Sequence, residues 1–295
     1  MTIEVNAVKI GTNSGCALQT ERNPGNLRFV VTGKGGVGKT TLAAVLSRLF
    51  AGDGHNVLAA DEDPQQNLIF SLGFPVEKAD EIIPVSRNLD YIEEKTGARP
   101  GEVWGAMLNL NPDVSDVVKR FGMKIDTNIS ILVMGSVIQA ASGCLCPENS
   151  LLAAMVRYIK LRNNEVIIMD TQAGVEHFGR ALAEGFQNAV VVAEPSFNSV
   201  QVAVHAAKLS HQLGIRRVYL VINKVRDDQD QQKADRLVGD SRVFNSVHYF
   251  PFDENVYKNE PDVSQFMSLN SPYMDEVRKL YNELKNDGLK SEKNE

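Results

Sequence analysis

The 295 residues suffice for one large α/β domain or two small ones, and 43% hydrophobic content supplies a sizeable core and argues against wholesale disorder. A net charge of −6 weighs against a nucleic-acid partner, because phosphate contacts need a basic face, and no apolar run approaches the ~20 residues that span a bilayer. Three cysteines make no disulfide scaffold, and "MTIEVNAVKIGTNSG" lacks the charged-then-apolar order of a secretory signal, so a cytoplasmic protein with reduced thiols and no membrane partner is expected.

Residues 1–26 have little periodicity and read as a poorly ordered N-terminal extension that contains Cys16. Patterning starts at "LRFVV" (27–31), an apolar run suited to a buried parallel strand. A glycine loop follows and runs into a helix with Leu42, Val45, Leu46 and Leu49 on one stripe. Further apolar runs occur at 56–61, 129–134, 165–170, 188–194 and 217–223, with helical stretches between most of them. Alternating strands and helices predict an α/β fold, a mostly parallel twisted sheet with helices on both faces. Residues 75–128 are less regular and read as an insertion of helices and loops over the sheet edge. The domain is expected to cover 27–285, with 286–295 as a charged tail.

"GKGGVGKT" (33–40) fits G-x-x-x-x-G-K-[ST], the phosphate loop of a P-loop NTPase. Gly33, Gly35, Gly36 and Gly38 let the backbone, including Val37, turn its N–H groups around phosphate oxygens. The helix start at Thr40 and Thr41 adds partial positive charge. Lys39 is placed to reach the β and γ phosphates, and the Thr40 hydroxyl to hold Mg²⁺. The preceding strand and following amphipathic helix are the setting this motif requires. Asp61 ends the second strand, where it can hold Mg²⁺ through water; Asp170 ends "VIIMD". A lone Asp at a strand end is more often a turn or cap residue. Here two lie at the carboxyl ends of parallel strands, where ligands bind in open α/β sheets.

Lys34, directly after the first glycine, gives "KGGVGKT". This resembles the deviant Walker A motif of the MinD/ParA/nitrogenase-iron-protein class of dimeric ATPases. The resemblance implies ATP as cofactor, a homodimer, and a Lys34 that crosses to the partner's nucleotide like an arginine finger supplied in trans. It also implies that Asp63 in "DEDPQ" orients or deprotonates the attacking water, that Asp170 is the Walker B carboxylate, and that Gly174 senses the γ-phosphate. In "VINKVRD", Asn223 and Lys224 resemble a base-recognition turn with the Asn223 amide on adenine, and "YFPFDEN" (249–255) is read as a loop over the base.

Two of the cysteines, Cys144 and Cys146, sit in "GCLCPENS". Buried core thiols, a redox pair and a metal site are the available readings. A C-x-C disulfide ring is small and strained, whereas thiolates hold thiophilic ions, usually in fours. One chain offers two, and a two-fold axis brings four. The isolated His177 and His205 are more often surface or core residues than ligands.

"CLCPENS", "MDTQAGVEH", "EPSFNS" and "INKVR" together resemble the CooC-type nickel-insertion ATPase family, accessory to carbon monoxide dehydrogenase. The likeness runs from Leu27 to Leu284. It implies an ATP-driven dimer that binds Ni²⁺, or Zn²⁺ in its place, between subunits through Cys144 and Cys146. The N-terminal extension and the ParA-like Glu62 and Gln65 depart from the family pattern. They leave the client open between carbon monoxide dehydrogenase and the related acetyl-CoA synthase. The rival is a ParA/MinD-type positioning ATPase. A membrane-binding version needs a basic amphipathic C-terminal helix. "SPYMDEVRKLYNELKND" has Tyr273, Val277, Leu280, Tyr281 and Leu284 on one face but mixed charges, and reads as a core helix. An electron-transfer iron protein carries its two cysteines tens of residues apart, unlike C-x-C.

Overall fold

The computed structural model describes residues 27–100, 108–135, 146–159, 165–172, 186–239 and 241–291. Among them, eight strands form one sheet: β1 (Arg28–Gly33), β2 (Val57–Asp61), β3 (Met123–Asp126), β4 (Ile129–Val133), β5 (Val166–Asp170), β6 (Asn188–Ala193), β7 (Arg217–Val225) and β8 (Ser246–Pro251). Every residue of β2, β5 and β6 is buried, which is why these strands read as unbroken apolar runs. The order is β3-β4-β2-β5-β1-β6-β7-β8, and each neighbouring pair is parallel except β3–β4 at the edge.

Alternate residues of the strands feed two separate cores. Val30, Leu58, Met169 and Leu220 face the helices Cys146–Ile159, Phe197–Gln212 and Asp228–Val238. Phe29, Ala59, Ile168 and Val221 face the phosphate-loop helix Lys39–Gly52 and the last helix, Pro272–Ser291. Leu42 to Ser47 of the phosphate-loop helix are all buried, a wider band than one apolar stripe, because that helix lies between the sheet and the last helix.

The segment 75–128 does contain short helices, Leu89–Thr96 and Val117–Phe121, packed through Tyr91, Ile92 and Val117. It also supplies β3, which the sequence reading does not give. β3 alternates half-buried and exposed residues at a sheet edge, and "MKID" carries too little apolar signal to stand out. The stretch 249–255, read as a loop over the base, is corrected at its start: 249–251 end β8, whose Ser246 and His248 disguise it.

The last helix runs to Ser291, past the boundary expected at 285. Tyr273, Val277, Leu280, Tyr281 and Leu284 are buried, as a core helix requires. Its polar side is tied down as well. The Tyr219 hydroxyl donates to Asp287 (2.8 Å), His248 pairs with Glu283 (2.9 Å), and Lys285 donates to Asp53 (2.6 Å). No helix among the described residues is long and apolar enough to cross a membrane. Leu280→Ala is expected to lower the unfolding free energy by about 2–5 kcal/mol in urea denaturation, the cost of a cavity in a packed core. A change of surface size, about 0.5 kcal/mol, would contradict the helix's place in the core.

Candidate functional site

The phosphate loop leaves the sheet at its centre, between β5 and β6. Position 33 requires glycine: φ is 142°, a conformation other residues rarely adopt, and a Cβ there would lie 2.1 Å from the Val192 carbonyl oxygen. Gly38 has φ 97° and precedes the helix, and a Cβ on it would lie 2.5 Å from the Asn223 amide nitrogen. The loop and helix start line a cavity of about 790 Å³ through Gly35, Gly36, Gly38, Lys39, Thr40 and Thr41. Asp63, Gln172, Phe70, Val76 and Pro261 complete much of its wall. Lys34 and Gly35 are exposed and Val37 is buried under the loop. The buried Lys39 ammonium donates to the Lys34 carbonyl (3.1 Å). Burial pulls its pKa down, and the carboxylates of Asp170 and Asp63 act in the opposite sense.

Asp61 and Asp170 face each other in register at the ends of β2 and β5, both fully buried. Asp61, expected to reach Mg²⁺ through water, has a structural task here. Its two carboxylate oxygens accept the backbone N–H groups of Asp63 (2.9 Å) and Leu68 (3.0 Å), which sets the turn that carries Asp63 into the cavity. Asp63 in turn accepts the N–H of Gln65 (2.8 Å). Burial, then the neighbouring Asp170 charge, holds the Asp61 carboxyl well above the usual range. Asp170 accepts the Thr40 hydroxyl on Oδ2 (2.6 Å), while its buried Oδ1 has no hydrogen-bond partner among the described residues. Burial pushes Asp170 up to about 7, against the pull of Thr40 and Lys39. A hydroxyl beside an unsatisfied carboxylate oxygen is the hard donor set that Mg²⁺ takes, so Thr40 and Asp170 fit that ion. When bound, the ion neutralises charge on the phosphate oxygens.

The residues of the expected base-recognition turn bond to the phosphate loop. The Asn223 amide, expected on adenine, donates to the Val37 carbonyl (2.8 Å), and the Lys224 ammonium donates to the Gly36 carbonyl and to Glu194 (both 2.7 Å). The sequence reading assigns no task to Glu194, and the half-buried Glu62, pushed up to about 8 chiefly by desolvation, is also new. The Glu194 contact had no local signal, since Lys224 is 30 residues away in the chain. His205 lies on the helix Phe197–Gln212. Cys146 opens the helix Cys146–Ile159. Cys16, Cys144, Gly174 and His177 lie outside the described residues, so the metal pair and the γ-phosphate sensor are not placed.

Fold and site together define a P-loop nucleotide-binding protein. The model of the CobQ/CobB/MinD/ParA nucleotide binding domain matches residues 29–261. The chain is 38% identical over 256 residues to the uncharacterized ATP-binding protein MJ0823 of Methanocaldococcus jannaschii, covering 87% of this chain and 96% of that protein. It is 35% identical over 230 residues to CooC, the carbon monoxide dehydrogenase accessory protein of Rhodospirillum rubrum, covering 78% of this chain and 85% of CooC. Among solved structures, the Aquifex aeolicus cell division protein MinD superposes with a TM-score of 0.60 at 18% identity, over 88% of this chain and 96% of MinD. The Pyrococcus horikoshii septum site-determining protein MinD, complexed with Mg-ADP, gives 0.60 at 19% identity, over 88% and 95%. This chain belongs to the CobQ/CobB/MinD/ParA nucleotide-binding family.

A buried carboxyl that titrates near 7 keeps its proton longer than in the unfolded chain. Its contribution favours the fold at low pH and fades as pH rises from the ordinary carboxylate range towards 7. A cation at Oδ1 competes with that proton. Mg²⁺ binding in the presence of ADP, measured by calorimetry, is expected to tighten between about pH 6 and about pH 8. A flat profile would contradict the assignment of Asp170.

Proposed function

We propose that this protein is an ATP-dependent metal carrier that delivers nickel, or zinc in its place, to carbon monoxide dehydrogenase or the related acetyl-CoA synthase. The observation that carries this reading is the 35% identity to CooC across 78% of the chain. The C-x-C pair supplies the chemistry: Cys144 and Cys146 from each of two chains give four soft thiolates, the complement that closes around one such ion. The ion is cargo, and the working state is a homodimer in the cytoplasm.

The ATPase step follows from the residues around the cavity. Loop amides, the Lys39 ammonium and the helix start hold the triphosphate. Asp63 accepts a proton from the water that attacks the γ-phosphorus. The bond from that phosphorus to the β–γ bridging oxygen breaks, and ADP and phosphate leave. Lys34, exposed at the loop tip, supplies positive charge to the partner's nucleotide.

A ParA/MinD-type positioning role is the second reading. The last helix weighs against its membrane form, because its apolar face is buried in the core of the domain. C-x-C also has no place in it.

Lys39→Ala is expected to abolish ATP hydrolysis, as read by phosphate release. Replacing Cys144 and Cys146 together with alanine is expected to remove bound metal, by elemental mass spectrometry, and to leave ATP affinity unchanged. Loss of both at once would refute a dedicated metal site. Asp63→Ala is expected to hold a nucleotide-bound dimer in light scattering, and a monomer in saturating ATP would count against that role for Asp63.

A further inference from the structure

The ends of β6 and β7 grip the phosphate loop from behind. Asn223 donates its amide to the Val37 carbonyl, Lys224 its ammonium to the Gly36 carbonyl, and the Glu194 carboxylate accepts from the same ammonium. Successive side chains of a strand point to opposite faces, so residues 223 and 224 have no reason to meet one loop. The backbone is bent to allow it. Lys224 has φ 62°, left-handed for a residue with a Cβ, and the pairing of β7 with β8 shifts register between Ile222 and Val225. Asn223 Oδ1 accepts the N–H of Lys224 (2.9 Å) and fixes the bend. A strained conformation of this kind persists where the surroundings over-determine it, and such positions cluster at functional sites.

Peptide planarity gives the consequence. Across a trans peptide, the carbonyl of one residue and the N–H of the next point in opposite directions. Drawing the Gly36 and Val37 carbonyls towards β7 therefore turns the N–H groups of Val37 and Gly38 away from it. The cavity that holds Gly36, Gly38 and Lys39 lies along this loop. The Lys224 and Glu194 side chains are 42% and 34% exposed, so screening leaves their ion pair little direct worth for stability. What the pair contributes is direction.

We propose that Lys224, set by Glu194, is a positioning residue for phosphate binding: it holds the loop amides in their binding orientation and does not read the base. This goes beyond the metal-carrier reading and rests on nucleotide binding alone.

The test is calorimetric titration of the full chain with ATP, GTP and inorganic tripolyphosphate, which has no base. Lys224→Gly suits a φ of 62°, so it removes the ammonium while relieving strain. Its ligand-free melting temperature is expected to equal or exceed that of the parent. All three ligands are expected to weaken by one common factor, roughly tenfold, as for loss of a charge-assisted hydrogen bond. Glu194→Ala is expected to weaken all three less, and Lys224→Arg to restore most of the affinity. Unchanged tripolyphosphate binding in Lys224→Gly, or a shifted ATP-to-GTP ratio, would overturn the proposal. A parent chain that binds no ATP would overturn nucleotide binding itself, and this proposal with it. A parent and Lys224→Gly that bind ATP equally would overturn this proposal alone.

Discussion

Two buried carboxylates lie side by side at the ends of adjacent parallel strands, and much of this molecule is arranged around that fact. Asp61 and Asp170 share a register position at the centre of the sheet, with no water to dilute their repulsion. Each is answered by a different device. Asp61 is satisfied by backbone N–H groups and so shapes the turn that carries Asp63. Asp170 meets the Thr40 hydroxyl and the positive field of Lys39, and one oxygen is left over. That oxygen and the Thr40 hydroxyl are hard donors of the kind that fit a cation such as Mg²⁺.

The same end of the sheet holds the carbonyls of the loop. Lys39 holds the Lys34 carbonyl, Lys224 the Gly36 carbonyl and Asn223 the Val37 carbonyl. Cationic and amide donors thus occupy the carbonyls of successive turns of the loop, and amides are left for phosphate. Electrostatic stabilisation of a developing charge depends on such pre-orientation, since dipoles already aimed need no reorganisation during the reaction.

The phosphate loop, the buried strands and the core face of the last helix were legible because each is written in a local pattern: a fixed glycine spacing, an aliphatic run, an apolar stripe of helical period. β3 and β8 were not, since edge position and polar residues such as Lys124, Ser246 and His248 erase the strand signal. The work of Asn223 and Lys224 was hidden for another reason. The Asn223 partner, Val37, is 186 residues away in the chain, and the left-handed turn at Lys224 has no sequence marker. The raised pKa of the half-buried Glu62 was equally invisible, because a glutamate between two aspartates reads as a solvated acidic turn. The spacing of Cys144 and Cys146 left core thiols, a redox pair and a metal site open, and Cys144 lies outside the described residues.

The central claim is that nucleotide brings two chains together around one ion held by four thiolates. Native mass spectrometry of the full chain with Ni²⁺, in the presence and absence of ATP, addresses it directly. The account predicts that ATP converts the protein to a species with two chains, two nucleotides and a single nickel ion. A lone chain that carries its own ion in saturating ATP would contradict it.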